Sequence, residues 1–188
     1  GEVIGNYRKT FRFETDKNWA REGDGFKHFD LGAPLGRVGL GICMDADMNP
    51  KDFVAPWDAF ELASYARKNA IDTLVVPMNW LDAPVEPPNA PPPQDPDAPS
   101  ESTLNYWAAR LTPLHDPTPD YAELGAADGA ENGGKEVIFV GCNRVGTEEG
   151  TTFIGTSCVM TVSSDPSRIE LVDCCTISEE RVLVTTVS

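Results

Sequence analysis

Apolar and polar positions alternate in short stretches along most of the chain, and a helical period interrupts them twice. Val38, Leu40 and Ile42 alternate with glycines, which predicts a strand closed by Cys43. Phe26, Phe29 and Leu31 predict a shorter strand before it, across the turn at residues 34–36. Over Pro56–Asn69 the residues Trp57, Phe60, Ala63 and Ala66 recur every third position, so an amphipathic helix is expected, with Pro56 tolerated in its first turn. Thr73–Met78 is a continuous apolar run of the kind found in strands buried on both faces. Strand, helix and strand in this order predict a β-α-β unit.

Leu104, Trp107, Ala108 and Leu111 share one face of a second helix predicted over Ser102–Leu111. Glu136–Cys142 and Thr152–Val162 predict strands on either side of the turn-rich Asn143–Gly150, and Arg181–Val187 predicts a last one. Val3, Ile4 and Tyr7 predict a strand within Gly1–Thr10 that runs into a loop and leaves Lys9 at its end. Phe11–Gly25 is polar and reads as a surface loop, and so does Asp116–Gly134. Residues 83–99 hold too many prolines for helix or ladder and too few apolar groups to bury, which predicts a disordered or polyproline-like surface insertion. The expected class is α/β with a mixed sheet, without internal repeats.

With 40% hydrophobic residues over 188 positions the chain can bury the core of one domain, and no apolar run approaches the roughly 20 residues of a bilayer helix. A formal charge of −15 opposes binding to nucleic acid or an anionic membrane, both of which require a basic face. Five cysteines, an odd number without C-x-x-C pairs, argue against a disulfide framework, and His28 and His115 lack metal-ligand spacing. No metal or cofactor is implied. This cysteine usage points to a reducing compartment, hence a cytoplasmic protein.

The segment Gly39–Asp47 (GLGICMDAD) delivers a cysteine from an apolar strand into an acidic turn, although an inert buried cysteine at a strand end looks the same. Lys9 alone reads as part of a basic surface pair with Arg8. Together, Tyr7-Arg8-Lys9-Thr10 and Gly41-Ile42-Cys43-Met44-Asp45 resemble the lysine and cysteine motifs of the nitrilase (carbon–nitrogen hydrolase) superfamily. Pro77-Met78-Asn79-Trp80, Cys142-Asn143-Arg144-Val145-Gly146 and Phe153-Ile154-Gly155-Thr156-Ser157 resemble, in order, further segments of that family. Its branch acting on protein amino-terminal Asn and Gln is the most similar, through GICMD, Phe60–Tyr65, Pro77–Leu81 and Asn105–Arg110.

The resemblance implies a four-layer α-β-β-α sandwich, of which this chain is the carboxy-terminal part. It implies Cys43 as nucleophile, with Lys9 and the backbone N–H of Met44 receiving an oxyanion. A thiolate is a minority species at neutral pH, so a cation or base must assist. The family's glutamate base lies well upstream of the lysine; Glu2 is too close to Lys9 to be it, so 188 residues alone are expected not to complete the site. Glu14 or Glu22 is the expected supporting carboxylate unless both are solvated loop residues. Asp45 either meets a substrate ammonium or caps its own turn, with Asp47 a weaker candidate for the ammonium. Asn79 and Trp80 line the pocket or simply pack, and Asn143 and Arg144 close another strand, Arg144 in a structural role. Cys142, Cys158, Cys174 and Cys175 read as small hydrophobes. The implied reaction is deamidation of amino-terminal Asn or Gln of proteins or peptides through a thioester. A general amidase, nitrilase or carbamoylase, or an inactive peptide-binding homologue, are the alternatives.

Overall fold

The computed structural model describes residues 1–47, 56–82, 94–116, 118 and 135–187. Eight strands are described: β1 (Lys27–Asp30), β2 (Arg37–Leu40), β3 (Thr73–Met78), β4 (Val137–Asn143), β5 (Val145–Glu148), β6 (Thr151–Ile154), β7 (Cys158–Ser164) and β8 (Ser167–Cys174). Three α-helices accompany them: α1 (Glu61–Lys68), α2 (Glu101–Arg110) and α3 (Thr112–His115). Six strands form a mixed sheet in the order β1-β2-β3-β4-β7-β8, and β5-β6 is a separate hairpin. The expected α/β class with a mixed sheet is what the chain adopts. Within the sheet β2, β3 and β4 run parallel, while β1, β7 and β8 pair antiparallel.

The register puts one set of side chains on the helix-covered face. Leu74 pairs with Phe139 and Phe139 with Met160, while Val137 pairs with Val162, and all of these are buried. Leu62, Ala63 and Ala66 of α1, Leu104 and Trp107 of α2, and Leu114 of α3 join them in one core. Apolar burial of this kind drives the assembly, at about 25 cal/mol per Å² removed from water. The opposite face carries Val75, Val140 and Val159, paired across β3, β4 and β7 and each only half-buried. One sheet and one helical layer thus correspond to two of the four expected layers.

Several boundaries differ from the sequence pattern. The helix expected from Pro56 begins at Glu61: Trp57–Ala59 forms a 3-10 turn, and Phe60 takes a left-handed conformation (φ 41°) between the two. The strand expected over Thr152–Val162 is two strands, broken where Gly155 and Thr156 adopt positive φ. Asn143–Gly150 contains β5 rather than turns alone. Residues 181–187 form no ladder, leaving Val182 and Val184 more than four-fifths exposed; the sheet's outer position on that side belongs to β8. Residues 1–10 form none either, with Val3 and Ile4 exposed, because side chains rather than a ladder hold the segment. Of the proline-rich insertion, 83–93 lie outside the described residues. Its last part is docked: Ala98 and Pro96 carbonyls accept from the amides of Ile177 and Ser178. Most of the loop at 116–134 also lies outside the described residues. No helix among the described residues is long and apolar enough to cross a membrane.

Candidate active site

The three parallel strands point their carboxyl ends the same way, and the chemistry gathers there, as open α/β sheets favour. Cys43 follows β2, Asn79 and Trp80 follow β3, and Asn143 and Arg144 sit at the end of β4. Lys9, Cys43, Met44, Asn79, Trp80 and Arg144 line one open cleft of about 1620 Å³. The lysine and the cysteine, far apart in sequence, therefore face the same space.

Cys43 begins a 3-10 turn, Cys43–Ala46, with a left-handed φ of 46°. A non-glycine residue held in that region costs on the order of 1–3 kcal/mol and persists only where its surroundings enforce it. Gly41, two residues earlier, lets the strand end pack closely on α1, since a Cβ there would lie 2.8 Å from Leu62 Cδ2. Burial pushes the Cys43 thiol above its ordinary pKa; the backbone N–H of Asn79 and the Lys9 charge pull it down, and the Asp47 and Asp16 carboxylates push it up. The balance of these effects favours the protonated thiol.

Asp45 is 2% exposed and does not line the cleft. Its carboxylate accepts from the Tyr7 hydroxyl at 2.6 Å and from the amides of Phe11 at 2.9 Å, Ile42 at 2.9 Å and, more distantly, Thr10 at 3.4 Å. Of the two roles open to it, the geometry fits the cap, extended into a clamp on the Lys9 segment. Burial raises its carboxyl above the usual range against these donors.

Neither expected supporting carboxylate reaches Lys9. Glu14 is exposed and pairs with Lys17 at 2.9 Å, and Glu22 is exposed and lies 3.6 Å from Arg12. Asp16 does reach it: Oδ2 is 2.6 Å from Lys9 Nζ, both side chains less than one-fifth exposed, and the same oxygen accepts from the Phe13 amide at 3.0 Å. A 3-10 turn over Glu14–Asn18 turns Asp16 inward while Glu14 faces out. The sequence held no periodic signal to tell these acids apart.

Asn79 acts on the thiol through its backbone, which no side-chain pattern reveals. Trp80 is half-buried, with its ring centroid 5.4 Å from Tyr106 and 5.9 Å from Trp107. Its backbone is stapled by Asn143, whose Oδ1 accepts from the Trp80 amide at 2.7 Å and whose Nδ2 donates to Gly155 O at 2.8 Å. Arg144 stacks 4.3 Å from the Phe153 ring centroid and pairs with Glu148 at 2.9 Å on the cleft's rim. Tyr106 and Asp47, joined by a hydrogen bond from the phenol to Oδ1, also line the cleft. Among the described residues no cluster of His, Cys, Asp or Glu has the arrangement of a metal site.

No protein-family model matches the chain. A protein N-terminal amidase of Schizosaccharomyces pombe is 33% identical over 175 residues, covering 86% of this chain and 52% of the relative. One of Saccharomyces cerevisiae is 35% identical over 100 residues, covering 44% of this chain and 21% of the relative. The chain spans about half the length of the first of these. Crystal structures of an N-terminal amidase, one a cysteine-to-serine variant and one with a Gln-Val peptide, superpose with TM-scores of 0.73 and 0.70 at 21% identity, over 93% of this chain and 69% of theirs. An amidase of Nesterenkonia sp. AN1, in which a glutamate-to-glutamine variant carries the acetamide moiety of fluoroacetamide on its active-site cysteine, matches at TM-score 0.55 and 15% identity, over 94% of this chain and 48% of that one. The chain is thus similar to protein N-terminal amidases over most of its length and shares the fold of the N-terminal amidase and Nesterenkonia amidase structures.

Proposed function

We propose that this chain supplies the nucleophile and the oxyanion site of an amidohydrolase that converts amino-terminal Asn or Gln of proteins and peptides to Asp or Glu. The observation that carries the reading is a cysteine in a strained turn, facing a carboxylate-anchored lysine across one cleft, in a chain similar to N-terminal amidases. The Cys43 sulfur attacks the carboxamide carbon, and its proton passes to a base that the family resemblance assigns to a glutamate. Among the described residues, the carboxylates whose charge bears on the thiol are Asp16, engaged with Lys9, and Asp47, held by Tyr106. The oxyanion formed settles between the Lys9 ammonium and the Met44 amide. Return of the thiol proton to the amide nitrogen lets collapse expel ammonia and leave a thioester on Cys43, which water hydrolyses to the acid.

Asp16 acts as the supporting carboxylate and fixes Lys9 in place. An acidic amino terminus as product suits entry into an N-degron type of degradation. Five unpaired thiols support work in a reducing, cytoplasmic setting.

The test is incubation of the full-length protein with Asn- and Gln-initiated peptides, following ammonia release and the mass gain of deamidation. Turnover that Cys43→Ala abolishes is expected. Turnover of small free amides with none of the peptides would assign a general amidase instead. Absence of any turnover or acyl-enzyme would assign an inactive binding homologue.

A further inference from the structure

We propose that Asp47, with Tyr106 and Trp80, forms the subsite that receives the substrate's α-ammonium group. The inference rests on the amidase reading and names the residues that restrict it to free amino termini. In an amino-terminal Asn or Gln the α-nitrogen lies three or four bonds from the carboxamide carbon, so about 3–5 Å away by ordinary bond lengths. Its anionic partner must therefore stand close to Cys43.

The other carboxylates that line the cleft are Asp16, Asp82, Glu148 and Glu149, and the last three are exposed where Asp47 is half-buried. Asp16 is bound to Lys9 at 2.6 Å and to the Phe13 amide at 3.0 Å. Glu148 pairs with Arg144 on the rim. Asp45, two residues from the nucleophile, faces away from the cleft into its cap. Asp47 closes the nucleophile turn, lines the cleft with Cys43, and its charge reaches the thiol.

Its surroundings suit a cation. The Tyr106 phenol donates to Oδ1 and fixes the carboxylate within the cleft. Arg110, 5% exposed and stacked near Trp57 and Phe60, donates Nη2 to the Asp47 carbonyl at 3.1 Å and fixes the backbone from behind. Trp80, its ring centroid 5.4 Å from that of Tyr106 at 50°, lines the same cleft, and aromatic faces attract ammonium groups. An arriving ammonium would also offset the anion that disfavours the Cys43 thiolate, coupling recognition to activation.

The experiment compares an Asn-initiated peptide with its amino-acetylated form in the full-length wild-type protein and in Asp47→Asn. The wild type is expected to favour the free amine. In D47N the free-to-acetylated ratio of kcat/KM should fall about tenfold or more, and Asp47→Glu should recover part of the preference. A parallel loss on both peptides, or an unchanged free-to-acetylated ratio in D47N, overturns the subsite. If D47N does not fold, Tyr106→Phe decides: a reduced ratio supports the subsite and an unchanged one overturns it. A wild type that turns over neither peptide would instead sink the amidase reading.

Discussion

The hydroxyl of Tyr7 lies 2.6 Å from the carboxylate of Asp45, and this bond joins the segment that carries Lys9 to the turn that carries Cys43. The Phe11 amide adds a second tie from the lysine side and the Ile42 amide one from the cysteine side. Burial, with the adjacent Asp45 charge, pushes the Tyr7 phenol well above its ordinary pKa, so the proton stays on Tyr7 and the carboxylate accepts. The geometry of the proposed catalytic pair thus rests on a carboxylate that touches neither member's reacting atom.

Tyr7→Phe should therefore lower stability by about 1.5–3 kcal/mol, the usual range for a hydrogen bond to a charged group. Asp45→Asn should be at least as damaging, because a carboxamide turns an N–H toward one of the donors that the carboxylate accepted. Both variants should lose turnover while Cys43 remains chemically present. Denaturant unfolding beside kcat on an Asn-initiated peptide checks this; wild-type kcat in Asp45→Asn would show that the clamp is not needed.

The charges around Cys43 predict a pH response with a definite sign. Because burial, Asp47 and Asp16 outweigh Lys9 and the Asn79 amide, alkylation by iodoacetamide should keep accelerating at pH values above the ordinary cysteine midpoint. Lys9→Met removes a cation that favours the thiolate, so its midpoint should move up; turnover should also fall by about 10²–10³-fold, the range for losing one oxyanion donor. Asp16→Asn removes an anion that opposes the thiolate, so its midpoint should move down, yet turnover should drop because Lys9 loses its anchor. Alkylation rates across pH, with the modified peptide identified by mass, separate these outcomes.

What was legible in the sequence follows from periodicity and motif order. Cys43 at the end of an apolar strand, the run Thr73–Met78 and the small-residue face of α1 were all readable because each repeats in one dimension. Asp16 was not, since a single 3-10 turn in a polar loop decides which of Glu14, Asp16 and Glu22 turns toward Lys9. Asn79 acts through an N–H that every residue but proline carries. Residues 181–187 have strong strand propensity but pair with nothing described, and β8, with Arg168, Glu170 and Asp173 among its residues, takes the outer position instead. Pairing partners, not propensity, decided that outcome.

Asn143 should prove a positioning residue. Its side chain holds the Trp80 amide and carbonyl and the Gly155 carbonyl, tying the ends of β3 and β4 to the segment after β6. Asn143→Leu keeps the volume but strands those groups, at a cost of about 1–3 kcal/mol. As Trp80 loosens, KM for the peptide should rise more than kcat falls. An unchanged KM in a folded N143L protein would mean that Trp80 is held by packing alone.

Gly155 offers the sharpest test of how the site's back wall is built. It sits at φ 56°, donates its N–H to Arg144 O at 3.0 Å, and accepts from Asn143 Nδ2 at 2.8 Å. A Cβ there would stand 2.2 Å from the carbonyl oxygen of Ile177, a backbone atom that cannot rotate away. Gly146 also has positive φ, at 87°, but a Cβ on it would meet nothing within 4 Å. Gly146→Ala should therefore carry only the conformational penalty, about 1–2 kcal/mol. Gly155→Ala should carry that penalty plus the displacement of residues 176–177, and should also disturb Asn143 and through it Trp80. The difference in unfolding free energy between the two variants measures the collision alone. Equal losses would mean that the carboxy-terminal segment yields freely and does not brace the cleft.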